Sequence, residues 1–289
     1  MGKPERGEPD TIPALFAKLK NKKAKWLISV YHFIPNPSKR PGGLALNNLL
    51  SFFSQRISLF FIARFGDVIH TETSFVKDEL VKQYGIPSEK IFACQSGIDT
   101  KAIDSVQWSE GKLYDACFLA RLHKSKGIYD LIEAWKYVCQ TNKSAKLAIA
   151  GSGGSAELIE ELKGKIRDSN LENNVFFLGF LPEENKFKLL KACKLYILPS
   201  YEEGIPITFN EAMYCGLPII TYYLPTYAEI NDFIVSVAVG DVKELAFQIS
   251  KMLKDTKSMQ GISVRAKKQA TEHTWDRVAN LVFSKIKAQ

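Results

Sequence analysis

The stretch KLYILPSYEEGIPITFNEAMYCGLPIIT, residues 194–221, decides the fold class of this chain. It opens with a short apolar run typical of a buried strand, at 194–200, and closes with a second such run, at 217–221. Between them lie a polar, glycine-containing loop and a helical pattern that begins near Pro206. A strand, a helix and a second strand in this order predict two parallel strands joined by a right-handed crossover.

The same alternation continues on both sides of this stretch. The helical patterns between the runs include an amphipathic stripe of Ile128, Leu131, Ile132, Trp135 and Val138. Six strands alternating with helices predict an α/β fold with a doubly wound parallel sheet, which binds ligands at the carboxyl ends of its strands. The other four strand-like runs lie at 114–120, 146–150, 174–179 and 235–239.

The first hundred residues show a thinner version of the same pattern. Strands are predicted at 25–31, 67–70 and 90–95, which is half the number in the later region. We therefore expect an incomplete first domain with its linker over 1–112 and a complete second domain over 113–275. A closing helix over 276–289 is expected to pack back on the first domain, with Trp275, Val278, Ala279, Val282, Phe283 and Ile286 on one face.

Composition and charge narrow the classes of partner. The chain has 289 residues, of which 46% are hydrophobic, and a net charge of +8, so it is an ordinary globular sequence suited to an anionic ligand or surface. The five scattered cysteines form no metal-binding or disulfide pattern, which favours a reducing cytoplasm. The N-terminal MGKPERGEPD resembles no signal peptide, and Arg6 stands where a myristoylation signal needs Ser or Thr. The sequence lacks a basic stripe interleaved with aromatic residues, so nucleic-acid binding is not indicated.

The segment from Leu44 to Phe65 is the most apolar part of the chain. Polar residues such as Asn47, Gln55 and Arg56 interrupt it, so it is predicted to be a helix that does not span a membrane. The main interpretation is that its broad apolar face packs in a core. Contact with a membrane surface is the alternative.

Two loops carry residues suited to a phosphorylated ligand. In ARLHKSKG, Arg121 and Lys126 follow a predicted strand and precede a helix, where cations are favoured when an anion lies between them. Solvated surface charge is the alternative, and the position at a strand end favours the anion site. In AGSGGSA, Gly151 and Gly153 fit a weak dinucleotide-binding pattern. The next strand ends at Phe180 with no acidic residue, so NAD binding is not supported, while a tight turn for close backbone approach is kept.

Glu203 and Glu211 are the candidate carboxylates. Glu203 lies in the loop that follows a strand, and Glu211 lies in the next helix. One acidic residue at a helix start is often only a cap, but two at this position can each accept hydrogen bonds from adjacent hydroxyls of a ligand.

Together, ARLHKSKG, AGSGG, GFLPEENKFKLLKAC and the E-x7-E pattern of EEGIPITFNEAMYCGLPI resemble the retaining nucleotide-sugar glycosyltransferases of family four. The resemblance implies the GT-B fold, in which two Rossmann-like doubly wound domains face each other across a cleft. It implies that Arg121 and Lys126 hold the donor diphosphate, that Glu203 contacts the transferred sugar and that Glu211 contacts the ribose. The donor-binding positions that complete the set are Gly151, Gly153, Phe180, and the backbone amides of Gly204, Ile205 and Ile207.

One stretch of the chain departs from the family pattern, and one histidine in the first domain matches it. Where the family commonly has a glycine pair near the phosphates, this chain reads TYYLPTYAEI, and Thr226 is a candidate substitute. His32 resembles the histidine that many members present to the transferring sugar, although a histidine after a strand is as readily a packed or surface residue. The resemblance implies that His32, Arg121, Lys126 and Glu203 are the catalytic set.

The predicted activity is transfer of a sugar from a nucleotide-sugar donor to a glycan or lipid-linked acceptor, with retention of configuration. The sequence has no D-x-D pattern, so protein cations are expected to neutralise the leaving diphosphate without a metal or other cofactor. Two alternatives stay open: a catalytically silent nucleotide-sugar-binding protein or partner subunit, and an NAD-linked oxidoreductase. The expected location is the cytoplasm, with peripheral contact at the inner membrane face.

Overall fold

A computed structural model describes residues 11–287. The N-terminal MGKPERGEPD, with the residues considered for a signal peptide and for myristoylation, lies outside the described residues. In the first half of the chain three parallel strands pair in the order β1-β2-β3, as the sequence predicts. The elements here are α1 (Thr11–Lys20), β1 (Leu27–Val30), α2 (Leu46–Phe65), β2 (Val68–Thr71), α3 (Ser74–Tyr84), β3 (Ile91–Ala93) and α4 (Thr100–Ser105).

The second half forms a six-stranded parallel sheet in the order β6-β5-β4-β7-β8-β9, and all six strands lie where the sequence predicts them. From β4, the strands that follow in the chain are added towards one edge of the sheet, and from β7 they are added towards the other edge. The boundary between β4 and β7 is therefore the switch point of a doubly wound fold. Its strands are β4 (Tyr114–Leu119), β5 (Leu147–Ala150), β6 (Val175–Gly179), β7 (Cys193–Leu198), β8 (Ile219–Tyr222) and β9 (Ile234–Val237). Its helices are α5 (Ile128–Thr141), α6 (Ala156–Asp168), α7 (Glu183–Ala192), α8 (Ile207–Tyr214), α9 (Val242–Lys254), α10 (Thr256–Ala270) and α11 (Trp275–Lys287).

The predicted stripe of α5 packs on this sheet. Trp135 and Val138 are fully buried there, in a core that extends over both faces of the six strands. Helix α6 begins after Ser155, whose side chain caps it, and Asp241 caps α9 in the same way. The positions of helices on both faces of a parallel sheet follow from these apolar stripes.

Residues 96–112, the last part of the region expected to hold the first domain and its linker, contain a helix and core residues. Asp99 caps the short helix α4, and Ile98, Ile103 and Val106 are buried in the core of the six-stranded sheet. At the other end of the chain, Thr274 pairs with Ile98 in an isolated parallel bridge. This pairing holds the start of α11 beside residues 96–112, where the chain passes from its first half to its second.

Two of the predicted apolar faces are arranged differently. In α11 only Val278 is buried, whereas Trp275 and Phe283 are 49% and 59% exposed. In α2 the main interpretation, core packing of a broad apolar face, is wrong for most of the helix. The buried side of this helix carries the polar residues Ser51, Gln55 and Ser58 together with Leu59 and Ile62. Most of its other large apolar side chains are exposed. No helix among residues 11–287 is long and apolar enough to cross a membrane.

Candidate functional site

The loops after β4 and β7 meet at the switch point of the six-stranded sheet. The amide of Tyr201 donates to the carbonyl of Ser125 over 2.8 Å and joins the two loops. Gly127 has a φ of 69°, and a side chain there would overlap the carbonyl oxygen of Pro199. Glycine is therefore required at this position both for its conformation and for the close approach of the two loops.

Lys126 and Glu203, which the sequence places in separate loops, form an ion pair at this meeting point. Their side chains are only 12% and 15% exposed, so the pair lies in the crevice rather than on the open surface. The hydroxyl of Ser200 also donates to Glu203, over 3.3 Å. Arg121 follows β4 directly and is exposed. The structure thus brings a cation and a carboxylate together where a ligand of a doubly wound sheet is expected.

The glycine turn after β5 lies beside these loops. Gly151 makes a close backbone approach, because a side chain there would overlap the carbonyl oxygen of Ala120. The amide of Leu122 donates to the carbonyl of Ser152 over 2.9 Å, and Gly153 has a φ of 90°. The turn therefore serves the close packing of two strand ends, as its glycines predict.

Glu211 is buried on α8 and paired with a residue that the sequence analysis assigned no role. Lys186 on α7 donates to Glu211 Oε1 over 2.5 Å. The second oxygen, Oε2, is buried without a hydrogen-bond partner in the described structure. Burial raises the pKa of Glu211, while the ammonium of Lys186 lowers it. The pair holds one oxygen of the carboxylate and leaves the other without a partner in the described structure.

Glu72, which follows β2, approaches the loop after β7 from the other half of the chain. Its Oε2 accepts from the amide of Ile205 over 2.9 Å, and its Oε1 accepts from the hydroxyl of Ser96 over 2.7 Å. Burial raises the pKa of this carboxyl. The amide of Ile205, expected near a sugar or phosphate, therefore has a carboxylate partner in this structure, because the end of β2 reaches that loop.

Gly204 lies where the two halves of the chain approach most closely. A Cβ atom at this position would overlap Glu72 Oε2 and lie 2.9 Å from the carbonyl oxygen of Tyr31. Since Tyr31 precedes His32, the loop after β1 lies against the loop after β7. The candidate His32 is half-buried in this loop, and its carbonyl accepts from Gln55 Nε2 over 2.9 Å.

A second buried contact joins the same loops. The guanidinium of Arg40 binds both carboxylate oxygens of Glu202, with Nε donating to Oε2 over 2.7 Å. The two side chains are 6% and 7% exposed. Asn48 on α2 accepts from Arg40 Nη1 over 3.0 Å. The loop that follows β1 is thus fastened beside Glu203.

The remaining predicted residues occupy different parts of the crevice. The hydroxyl of Thr226 donates to the carbonyl of Glu203 over 2.9 Å, so this donor is already used within the protein. Ile207 is the first residue of α8, where backbone amides have no helical partner. Phe180 follows β6 and is 71% exposed.

Asp130 on α5 binds two tyrosines next to the site, and the sequence did not reveal this role. The hydroxyls of Tyr201 and Tyr222 both donate to Asp130 Oδ2, over 2.6 and 2.5 Å. Burial and the Asp130 carboxylate raise the pKa of both tyrosines well above their usual range. These bonds tie the loop after β7 and the strand β8 to the first turn of α5.

The contacts that the sequence did not reveal join residues far apart in the chain. Arg40 and Glu202 are 162 positions apart, and Glu72 and Ile205 are 133 apart. No local spacing links such residues. One feature of the sequence could have indicated a role for Glu72: it follows the strand predicted at 67–70, and ligands of parallel sheets bind at the carboxyl ends of strands.

Comparison with known proteins connects this geometry to a family. The family model described as "Glycosyl transferases group 1" matches residues 99–269, which is more than half of the chain. An uncharacterised glycosyltransferase of Methanocaldococcus jannaschii is 28% identical over 225 residues, covering 72% of this chain and 57% of that protein. The poly(glycerol-phosphate) alpha-glucosyltransferase of Bacillus subtilis is 27% identical over 209 residues, covering 69% and 30%. The chain therefore spans little more than half of the first relative and less than a third of the second.

Solved structures share the fold at lower sequence identity. Anabaena HepE in complex with UDP-glucose matches with a TM-score of 0.79 and 19% identity, covering 96% of this chain and 76% of that one. The pneumococcal O-GlcNAc transferase GtfA in complex with UDP and GlcNAc matches with a TM-score of 0.74 and 17% identity, covering 98% and 55%. The expected GT-B arrangement of two parallel α/β sheets is confirmed.

Proposed function

Because this chain belongs to the group 1 glycosyl transferases, we propose that it moves a sugar from a nucleotide-sugar donor to a glycan or lipid-linked acceptor. The observation that carries the proposal is the meeting of Lys126 and Glu203 at the switch point, beside a buried Glu211 with one unused oxygen. A sugar attached to a nucleoside diphosphate offers hydroxyls to the carboxylates and negative charge to the cation. The UDP and UDP-glucose bound to the similar structures support a donor of this class.

In the proposed reaction, the bond between the sugar carbon and the diphosphate oxygen breaks as the acceptor oxygen bonds to that carbon. Negative charge grows on the leaving diphosphate, and Arg121 and Lys126 neutralise it, so that we propose transfer without a metal or other cofactor. The acceptor proton passes to the leaving phosphate on the same face of the sugar, which retains the configuration. His32, on the loop that touches Gly204, is proposed to bind the transferring sugar.

The ion pair between Lys126 and Glu203 gives each residue a defined place before a donor arrives. A diphosphate competes for the ammonium of Lys126, which releases Glu203 Oε1 to accept from a sugar hydroxyl. Glu211 Oε2 is proposed to accept from the ribose. Five cysteines without a disulfide among them are consistent with the proposed cytoplasmic location.

Thermal-shift measurements with UDP-, GDP-, ADP- and CMP-sugars test the donor site. We expect at least one of them to raise the melting temperature, because a ligand that binds only the folded state stabilises it. The shift should be reduced in Arg121→Ala, Lys126→Ala and Glu211→Ala, since each removes a proposed contact with the donor.

Lys124→Ala is the matched control. Its ammonium lies over the ring of Tyr129, 5.3 Å from the centroid, and so has its own partner on the same short segment as Lys126. This variant should keep most of the donor-induced shift. Absence of a shift with all four donor classes, or equal losses in Lys124→Ala and Lys126→Ala, would contradict the proposed site.

A further inference from the structure

Helix α2 presents its large apolar side chains to solvent. Leu46, Leu50, Phe53, Ile57 and Phe60 recur every three or four residues, which places them on one face, and each is 58–70% exposed. The opposite face carries polar residues together with Leu59 and Ile62, and these two lie in the core of the three-stranded sheet. An exposed continuous apolar stripe of this kind marks an interaction surface rather than a scatter of single residues.

Helix α1 enlarges this stripe. It packs against α2 and exposes Ile12, Phe16 and Leu19, which share one helical face. These three side chains and the five of α2 are here named the α1–α2 surface. Eleven of the 22 exposed large apolar side chains among the described residues lie between positions 12 and 60. The exposure is therefore concentrated in one part of the molecule.

The charge around this surface has a single sign. Residues 11–66 contain nine Lys or Arg and no Asp or Glu; Arg40 is buried against Glu202 and Lys18 is paired with Asp67, which leaves seven cations for the surface. Four lysines at and just after the end of α1 are exposed, namely Lys20, Lys22, Lys23 and Lys25. The first acidic residue after this stretch is Asp67, which is already paired with Lys18. An apolar stripe within a wholly basic segment fits a partner that is apolar inside and anionic at its surface.

We propose that the α1–α2 surface docks onto an anionic lipid bilayer. A second copy of the chain is the less suitable occupant, because a two-fold contact would bring two basic faces together. A bilayer rich in acidic lipids supplies the opposite charge, and its interfacial region accepts Leu, Phe and Ile side chains. At 20 residues, α2 is about 30 Å long and lies along the surface.

Docking in this way is independent of the donor site. The loops at the switch point and the α1–α2 surface share no residue, so failure of either proposal leaves the other testable. If both hold, the first half of the chain rests on the bilayer, where a lipid-linked acceptor is found.

Co-sedimentation with lipid vesicles tests the proposal. The chain should bind vesicles that contain phosphatidylglycerol and should bind pure phosphatidylcholine vesicles at least about fivefold more weakly, since each Lys or Arg near an anionic surface strengthens binding by about that factor. The triple variant Phe53→Ser, Ile57→Ser, Phe60→Ser should bind at least about tenfold more weakly. The triple variant Lys20→Glu, Lys22→Glu, Lys23→Glu should also lose binding, as should the unchanged chain in about 0.5 M salt.

Matched controls remove similar groups elsewhere. Phe247→Ser with Val264→Ser deletes exposed apolar side chains of the second half, and Lys82→Glu, Lys101→Glu, Lys243→Glu changes the net charge equally; both should bind like the unchanged chain. Far-ultraviolet circular dichroism confirms that each variant is folded. The proposal is overturned if anionic vesicles are not bound, or if the α2 variant binds them normally. It is also overturned if light scattering shows a dimer that the α2 substitutions dissociate.

Discussion

Lys186 and Glu211 form the most informative pair at the level of single residues. Lys186 lies on α7, within the quoted stretch GFLPEENKFKLLKAC, yet its role becomes visible only through its bond to Glu211 Oε1. The side chain of Glu211 is 8% exposed, so its carboxylate depends on this one ammonium for charge compensation. The pair therefore sets both the orientation and the charge of the acceptor proposed for the ribose.

Lys186→Met is expected to make donor binding dependent on pH. Burial already raises the pKa of Glu211, and loss of the ammonium raises it further. Nucleotide affinity should then fall as the pH is lowered from about 8 to about 6, while the unchanged protein varies less. Isothermal titration of the best donor at several pH values measures this difference.

The same variant should be less stable, and the loss should depend on pH. A carboxyl group whose pKa is raised by folding loses its stabilising contribution as the pH rises through that folded-state pKa. The deficit in melting temperature should therefore be larger at about pH 8 than at about pH 5, with up to about 3 kcal/mol lost at the higher pH. Lys188→Met is the control, since Lys188 pairs with the exposed Glu184 on the same helix. Equal, pH-independent effects from both variants would contradict the positioning role.

At the scale of elements, the loops that follow the strands carry the site, and glycines allow them to meet. At Gly127 and Gly151 a side chain would overlap the carbonyl oxygens of Pro199 and Ala120, which follow strands of the six-stranded sheet. The same holds at Gly204 between the two sheets, where Glu72 reaches the loop after β7. The pattern of strands and helices was predictable because the periodicity of apolar residues is a local property.

Gly204→Ala is expected to separate the two sheets at the crevice. The new methyl group would meet the carboxylate of Glu72 and the backbone of Tyr31, and a backbone neighbour cannot move aside cheaply. We expect a loss of about 1–3 kcal/mol in the free energy of unfolding, measured with urea. The donor-induced thermal shift should decrease as well.

Gly164→Ala on α6 provides the matched control. A Cβ atom at this position would lie 4.0 Å from Arg167 Nη2, so the methyl group has room. Alanine in a helix interior should raise stability by about 0.5–1 kcal/mol. If Gly204→Ala also stabilised the protein, the close approach at Glu72 would not exist in solution.

The whole molecule is held together by polar contacts between its halves. Arg40 and Glu202 form a buried, two-pronged pair, Asn210 Nδ2 donates to the carbonyl of Ser96 over 3.1 Å, and the amide of Ser74 donates to Glu229 over 2.5 Å. These contacts lie around the crevice. Of these contacts, the pair of Arg40 and Glu202 fixes the loop after β1, which also carries His32, beside Glu203.

Arg40→Met is expected to weaken the connection between the halves. It leaves the carboxylate of Glu202 buried without its cation, which destabilises by about 3–5 kcal/mol. Urea unfolding should show the loss, and the double variant Arg40→Met with Glu202→Gln should recover a large part of it, because neither charge then remains unpaired. A loss below about 1 kcal/mol in the single variant, or additive losses in the double variant, would show that the pair does not hold the halves together.

The sequence by itself determined the nine strands of the described residues, several of the helices, and the strand ends after which Arg121, Lys126 and Glu203 lie. These follow from short-range periodicity and from the rule that parallel strands place their carboxyl ends at one edge, whereas the GT-B class was implied by the resemblance of the motifs to a known family. Only the tertiary structure decided which charged groups meet, namely Lys126 with Glu203, Lys186 with Glu211, and Arg40 with Glu202. It also decided that α2 turns its apolar stripe outward. Ion pairs between distant residues and the orientation of a helix that is apolar on several sides depend on how the elements pack, and no local pattern encodes that packing.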